Sequence, residues 1–306
     1  MWLRERIRRQ VYATVHGQGL DLTRYDRPVG DPGLFGPDSV VWLVHGDLPG
    51  MFTGGVAALL LQSLHPLAMA GVDQHSLYRD DPIDRLNRTA GFVTVTSYGS
   101  TEEAEAAIAR VRRIHAYVRG TAPDGRPYDA SDPELLRWVH VAETACFLAG
   151  YQRYARRPLT RPEQDRYFDE VALTAERLGA TEVPRSLAEV HAYLREVRPR
   201  LAATEAALAA VAFLRTPGAL IPSAGGDAAL RILVNGGIDL LPHWALVELG
   251  LPRRSALRAS AERASVRALA VALRYGCEPS VVIETARTRA RRPVPDAVRT
   301  RSPHRG

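Results

Sequence analysis

The histidines of this sequence are the side chains best able to bind a metal ion or to move a proton near neutral pH. His115 lies seven residues after Ile108 and four residues after Val111, in a segment with helical periodicity. These offsets place the three side chains on one helix face, so we predict that His115 points toward the core. Spacing alone favours a core histidine with internal hydrogen bonds, and a metal ligand is the alternative.

Three other histidines carry weaker signals. His65 precedes Pro66, which removes a backbone amide, so its ring is predicted to serve the nearby backbone. Acid–base chemistry at His65 is the alternative, and His75 is expected to cap a helix or lie at the surface. His140 and Glu143 are three residues apart and could together bind zinc or iron. A di-iron bundle, however, needs two Glu-x-x-His motifs, and His-Glu-x-x-His is also absent.

A second group of candidates is Arg85, Arg88 and Thr89. Arg85 and Thr89 are four residues apart, so on a helical turn they share a face that Arg88 borders. Two guanidinium groups and a hydroxyl could there hold a carboxylate or a propionate. The alternative, which the spacing alone favours, is a solvated surface.

The composition excludes several classes of enzyme. The sequence has no lysine, and all 40 basic residues are arginine, which excludes pyridoxal enzymes and ordinary P-loop NTPases. The two cysteines, Cys146 and Cys277, are too few for a disulfide framework or an all-cysteine iron–sulfur cluster. Neither Gly-x-Ser-x-Gly nor a Rossmann glycine motif after a strand occurs, so hydrolase-elbow and dinucleotide-binding functions lack support.

The net charge is concentrated at one end of the chain. Residues 287–306 contain seven arginines and one aspartate, which account for the whole formal charge of +6. We therefore predict a helical domain at 1–286 and a basic, flexible tail at 287–306. No nucleic-acid binding is expected of the neutral body, whereas the tail could contact an anionic membrane surface. The low cysteine content and the lack of a secretion signal favour the cytoplasm.

Helix signals dominate the sequence, which predicts an all-α fold in a single large domain. Four Ser/Thr-x-x-Glu capping boxes begin at Ser100, Ser131, Thr160 and Ser186. Further helices are predicted near 3–15, 200–214, 227–240, 256–274 and 278–291. The apolar stretch 51–72 is interrupted by polar residues, which favours a buried helix over a membrane span. Only 92–96 has the β-branched alternation of a strand.

Five segments occur in the order typical of one protein family. They are L-L-L-Q-S-L-H-P-L-A-M-A-G-V-D-Q-H-S at 59–76, D-P-I-D-R-L-N-R-T-A-G-F-V at 81–93, Y-G-S at 98–100, V-R-R-I-H-A-Y-V-R-G at 111–120 and P-Y-D-A-S-D-P-E-L-L-R-W-V-H at 127–140. With these segments the chain resembles the MpaB/rubber oxygenase (latex clearing protein) catalytic-domain family, formerly a domain of unknown function. The resemblance is strongest over residues 40–215.

The resemblance implies a globin-like helical core that holds a non-covalent haem b. The axial histidine of the family corresponds to His115, and its Arg-x-x-Lys/Arg-Thr motif corresponds to Arg85, Arg88 and Thr89, which would line the haem pocket. Rubber-cleaving members have lysine where this chain has Arg88. They also carry a glutamate, proposed as a base, where this chain reads Ala-Met-Ala at 68–70.

The function implied by the resemblance is that of a haem-dependent oxygenase. It would use O2 to cleave or oxygenate an alkene-containing, isoprenoid-type small molecule, and the missing glutamate makes rubber an unsuitable substrate. Arg85, Arg88 and Thr89 would act beside the haem, and His65 or His75 would serve as a distal acid or base. The alternative is a non-catalytic protein of the same fold that binds haem or lipid as a sensor or carrier.

Overall fold

The computed structural model of this chain describes residues 2–16, 19–76, 80–216 and 224–293. Within these ranges the protein is all-α, as the sequence predicts, and fifteen helices accompany a single small β-hairpin. The helices before the hairpin are α1 (Trp2–His16), α2 (Thr23–Asp26), α3 (Val40–Gly46), α4 (Leu48–Gln62), α5 (Pro66–His75), α6 (Pro82–Tyr98) and α7 (Thr101–His115).

The hairpin separates these helices from a second group. Its antiparallel strands are β1 (Arg119–Thr121) and β2 (Pro127–Asp129), and Gly120 pairs with Tyr128. The helices that follow are α8 (Pro133–Tyr154), α9 (Arg161–Leu178), α10 (Leu187–Val197), α11 (Glu205–Arg215), α12 (Ala224–Leu240), α13 (His243–Glu248), α14 (Ala256–Cys277) and α15 (Val281–Arg291). One turn of 3-10 helix, Arg198–Arg200, follows α10.

Helices α4 and α8 form the centre of the core. They approach closely because Gly54 of α4 faces the α8 backbone, where an added Cβ would lie 2.7 Å from the carbonyl oxygen of Cys146. Leu60 of α4 and Trp138 of α8 are almost completely buried in the largest hydrophobic cluster. The inward face of α8 therefore forms a large part of the hydrophobic core.

The apolar stretch at 51–72 forms parts of α4 and α5 and is mostly buried or half-buried. The two helix axes are bent by 105° at the residues that join them. Among the described residues, no single helix is long and apolar enough to cross a membrane, although this bent pair has the required length and composition.

The predicted strand at 92–96 is wrong, because these residues belong to α6. Asp81 caps the helix by accepting a hydrogen bond from the Asp84 amide, and Pro82 follows it. The hydroxyls of Thr94 and Thr96 donate to the carbonyls four residues earlier, at 2.7 and 2.9 Å. These bonds satisfy the threonine hydroxyls within the helix. The β-propensity of the segment therefore does not prevent it from being helical.

The predicted helix starts are largely confirmed. Ser100 and Ser186 are N-caps, and the Glu163 carboxylate accepts from the Thr160 amide at 2.7 Å. The helix that was predicted to start at Ser131 is instead capped by Asp132, one residue later. The Asp132 carboxylate accepts a hydrogen bond from the Glu134 amide at 2.9 Å. Aspartate caps as well as serine does, so the capping pattern allowed either residue.

The C-terminal helix is anchored by Arg289, whose side chain is 1% exposed. Its guanidinium donates to the carbonyl oxygens of Tyr25, Asp31, Tyr98 and Gly99 at 2.9 to 3.1 Å. Helix α15 therefore continues in a packed environment beyond residue 286, where the sequence predicts the end of the domain. Residues 294–306 of the predicted tail lie outside the described residues. The globin-like core stays a prediction.

Candidate functional site

Helices α6 and α7 pack against each other and bring His115 to Arg85. His115 is the last residue of α7 and is half-buried, and its carbonyl accepts from the Val118 amide at 3.0 Å. Its imidazole makes no hydrogen bond with the described part of the chain. Arg85 lies near the start of α6, close enough to act electrostatically on the imidazole.

The surroundings of His115 favour its neutral form. Burial lowers the pKa of the imidazole, the positive charge of Arg85 lowers it further, and Asp129 of β2 acts in the opposite direction. Because an imidazole already titrates below pH 7, a lowered pKa leaves His115 neutral at physiological pH. Neutral imidazole is the form that binds metals, so the ring has the protonation state that an axial ligand requires.

The three residues of the arginine–threonine motif do not share one environment. Arg85 is exposed by surface area, like the other two residues, although partial burial of its guanidinium lowers its pKa and the nearby charge of Arg88 adds to this effect. Arg88 is 78% exposed and pairs with Asp84 at 2.7 Å. The Thr89 hydroxyl is exposed and donates to the Arg85 carbonyl at 3.1 Å. Of the three side chains, only that of Arg85 is seen to act on His115.

His65 has the backbone role that the sequence predicts. It is the N-cap of α5, and its Nδ1 accepts from the Ala68 amide at 3.4 Å. Its ring is buried 6.0 Å from the Trp138 ring, and burial, followed by the charge of Arg200, lowers its pKa to about 4. The imidazole is thus neutral at pH 7 with Nδ1 engaged, and its catalytic role stays a prediction.

His75 connects α5 to the hairpin. The Tyr128 hydroxyl donates to Gln74 at 2.7 Å, so the Nε2–H of His75 donates to the same hydroxyl at 3.0 Å. These bonds hold the end of α5 against β2. Met69, within the 68–70 segment where rubber-cleaving relatives have a glutamate, is a core residue with 3% of its surface exposed.

A buried cluster that the sequence does not predict as a unit surrounds His45 of α3. Its Nδ1 lies 2.7 Å from the Ser97 hydroxyl of α6, and its Nε2 lies 3.1 Å from the Tyr167 hydroxyl of α9. Burial, and then the charge of His140, lower the pKa of His45 to about 3. Neither His45 nor Tyr167 belongs to a recognisable motif, and the two are far apart in the chain, so only the fold reveals their contact.

His140 and Glu143 of α8 complete this cluster. His140 acts electrostatically on His45, and Glu143 acts on Tyr167 and Cys146. Burial lowers the pKa of His140 to about 4 and raises that of Glu143 to about 7. The spacing of these two residues was the only sequence signal for the cluster.

The described residues contain no group of three or more histidine, cysteine, aspartate or glutamate side chains that could hold a metal ion. The predicted pair of His140 and Glu143 therefore has no third ligand of these types among them. A metal that brings most of its own ligands, as haem iron does, needs only one protein donor, and His115 can supply it.

Comparison with known proteins assigns most of the chain to one family. Residues 42–275 match the family described as ER-bound oxygenase mpaB/B'/Rubber oxygenase, catalytic domain. The matched region runs from α3 into α14 and contains both His115 and the cluster around His45. Searches of curated proteins and of solved structures found no match. The family inferred from the sequence motifs is confirmed.

Proposed function

Since the chain belongs to the mpaB/rubber oxygenase catalytic-domain family, whose name denotes oxygenases, we propose that it is a haem b-dependent oxygenase. Its proposed substrate is an apolar small molecule with an alkene, of isoprenoid type, which it cleaves or oxygenates with O2. The observation that carries the haem assignment is the neutral, half-buried imidazole of His115 beside the guanidinium of Arg85.

The side chains at this position match the chemistry of haem. His115 offers a neutral ring nitrogen that makes no hydrogen bond with the described residues, so this nitrogen is available to bind iron. Arg85 offers a guanidinium for a haem propionate, and charge-assisted pairs of this kind are strong when partly shielded from water. When bound, haem would supply the centre at which O2 is activated.

The interior wall of α6 suits an apolar substrate. Leu86, Ala90 and Val93 follow one another at helical spacing on a single face and are all half-buried. Their side chains exclude water and would hold a hydrocarbon chain by burial of its surface. His65 is neutral and its Nδ1 is occupied, so it would orient rather than protonate an adjacent group.

Two differences from rubber-cleaving members limit the class of substrate that fits this chain. Arg88 replaces their lysine, and a guanidinium stays protonated and is a poor ligand for iron. The segment 68–70, where rubber-cleaving members have the glutamate, contains the buried Met69 and no acidic residue that could act as a base. We therefore propose a small isoprenoid-type alkene rather than a polymer.

The alternative function is a non-catalytic carrier or sensor of haem or lipid. The outward orientation of Arg88 and Thr89 favours it, because Arg88 is engaged with Asp84 and the Thr89 hydroxyl with the backbone. Neither side chain would then contribute to O2 chemistry. Haem binding without consumption of O2 in the presence of alkenes would select this alternative.

Absorption spectroscopy with hemin tests the proposed function. Wild-type protein should give a protein-bound Soret band that shifts on reduction, and His115→Ala should lose the band while its helical circular dichroism is retained. His191→Ala, a substitution at an exposed histidine of α10, is the matched control and should bind hemin normally. An unchanged spectrum in His115→Ala would reject His115 as the ligand, and no hemin uptake by any form would reject the function.

We also propose a cytoplasmic location and contact of the basic tail with anionic membranes. The contact would be electrostatic and therefore weakened by salt. The test is co-sedimentation with vesicles of phosphatidylcholine and phosphatidylglycerol, using the full chain and a chain that ends at residue 293. The shorter chain keeps α15 and Arg289, so reduced sedimentation would report on residues 294–306 rather than on unfolding. Equal sedimentation would exclude residues 294–306, with Arg299, Arg301 and Arg305, as the contact.

A further inference from the structure

The cluster of His45, Ser97, His140, Glu143 and Tyr167, called here the interior polar cluster, is not used by the proposed chemistry at His115. Ser97 is twelve residues after Arg85 on α6, so the cluster lies about 18 Å along that helix from the candidate haem site. It is therefore a second place in the interior where polar groups meet.

Hydrogen-bond accounting fixes the state of His45. The Ser97 hydroxyl donates to the Val93 carbonyl at 2.7 Å, so it accepts from the Nδ1–H of His45. A neutral imidazole then has a bare Nε2, which accepts from the Tyr167 hydroxyl. The Tyr167 oxygen has thus given its hydrogen away and keeps lone pairs that can accept a further bond.

His140 and Glu143 are without such partners. Neither the His140 ring nor the Glu143 carboxyl makes a hydrogen bond with the described part of the chain, and His140 is only 9% exposed. An occupant able to donate and accept hydrogen bonds could pair with both side chains.

The cluster keeps open surface although it is deep in the protein. Glu143 and His45 are half-buried rather than fully covered, while burial strongly shifts the pKa of each. The uncovered surface of these two side chains lies beside the Tyr167 hydroxyl and can contact a small molecule. The apolar face of Leu86, Ala90 and Val93 runs along α6 from the turn of Arg85 to Ser97 of this cluster.

From this arrangement we propose that the interior polar cluster binds the uncharged polar end of the substrate, a hydroxyl group, while the apolar chain lies along α6. A hydroxyl both donates and accepts, which suits Glu143, His140 and the Tyr167 oxygen together. The substrate is thereby an isoprenoid-type alkenol, a class that rests on the proposed function. The cluster thereby determines the orientation of the substrate along α6, with its hydroxyl end at Ser97.

The charge environment excludes charged ends. Burial shifts the pKa of Glu143 and of His140 toward their neutral forms, and neither side chain forms an ion pair with another described residue. A carboxylate or phosphate would be desolvated without a counter-charge, which is costly. An ammonium group would have to compete with the tendency of Glu143 to remain protonated near neutral pH.

Isothermal titration calorimetry with four probes tests the proposal. The probes share one isoprenoid skeleton: citronellol, the hydrocarbon citronellene, citronellic acid and citronellylamine. Wild-type protein should bind citronellol about tenfold more tightly than citronellene, the value of one good hydrogen bond. Glu143→Met, of similar size without the carboxyl, should reduce this preference to about twofold or less.

Matched variants separate recognition from folding. Glu143→Gln retains a group that donates and accepts, so it should keep the preference for citronellol. Thr144→Val removes a buried hydroxyl of the same helix that already bonds the His140 carbonyl, and it should also keep the preference. Equal binding of citronellol and citronellene by the wild type, as expected if the cluster binds only water, would overturn the proposal.

Other outcomes are equally decisive. Tighter binding of citronellic acid or citronellylamine than of citronellol would overturn the assignment to a hydroxyl, as would an unaltered preference in Glu143→Met. Hemin uptake is measured on the same preparations. Normal hemin binding without alcohol preference rejects only this inference, whereas alcohol preference without hemin binding rejects the proposed function and leaves the binding site in place.

Discussion

The Tyr167 hydroxyl donates a hydrogen bond of 3.1 Å to Nε2 of His45, which ties α9 to α3 inside the protein. The other ring nitrogen of His45 donates to Ser97 of α6, so one imidazole joins three helices. All of these groups are buried or half-buried, and each bond therefore protects a polar atom from desolvation. His45 therefore holds α3, α6 and α9 together within the interior polar cluster.

Removal of the Tyr167 hydroxyl should destabilise the protein. Tyr167→Phe leaves Nε2 of His45 without a donor, and we expect the free energy of unfolding to fall by about 1 to 2 kcal/mol. Urea denaturation followed by circular dichroism measures the change. Tyr154→Phe is the control, because the buried Tyr154 hydroxyl has no hydrogen-bond partner among the described residues and its removal should cost nothing. Equal losses in both variants would contradict the assigned bond.

Glu143 should make stability depend on pH near neutrality. Burial raises its pKa in the folded protein to about 7, whereas in the unfolded chain it ionises near the ordinary value of 4.5. A raised folded pKa contributes stability below pH 4.5 and loses it as the pH rises through 7. The unfolding free energy of the wild type should therefore fall over this range relative to that of Glu143→Gln.

The control for this experiment is Glu196→Gln, a substitution at an exposed residue of α10. Urea unfolding at several pH values between 4.5 and 8 gives the free energy for all three proteins. The difference between Glu143→Gln and wild type should grow with pH and then level off above pH 7. A constant difference would show that the Glu143 carboxyl titrates normally in the folded protein.

Local sequence signals predicted the helical class and most helix starts, because capping depends on a few neighbouring residues. They failed at 92–96, where β-branched side chains bond back to the helix that contains them. Helical periodicity predicted that His115 points toward the core, and the residue is half-buried, but its proximity to Arg85 depends on how α6 and α7 pack. The contact between His45 and Tyr167 joins distant segments, and no local pattern encodes it.

Arg289 should be among the most stabilising charged residues of the chain. It is buried and donates to four carbonyls, two of which, those of Tyr98 and Gly99, lie at the end of α6. Arg289→Met should lower the unfolding free energy by about 3 kcal/mol, because buried carbonyls lose their donors. Thermal or urea unfolding of the full chain measures this.

Arg291 provides the comparison, since it is 61% exposed and pairs with Asp38 at 3.3 Å. Exposed pairs contribute little, so Arg291→Met should change the unfolding free energy by less than about 1 kcal/mol. If the two variants lose the same stability, the effect belongs to α15 as a whole rather than to the carbonyl contacts of Arg289.

The charge of Arg85 should control the titration of His115. Arg85 lowers the pKa of the imidazole and Asp129 raises it, with burial as the larger cause. Arg85→Gln should therefore raise the pKa of His115, and Asp129→Asn should lower it further. NMR titration of the histidine ring protons without hemin gives these values, so the result does not depend on cofactor loading.

Arg88→Gln separates proximity from net charge, because it removes the same charge from a guanidinium that pairs outward with Asp84. It should leave the pKa of His115 nearly unchanged. If Arg85 also holds a haem propionate, Arg85→Gln should weaken hemin binding more than Arg88→Gln does, since only the Arg85 side chain adjoins the imidazole. Equal shifts of the His115 pKa in the two variants would place both guanidinium groups at the same distance and refute the distinction drawn between them.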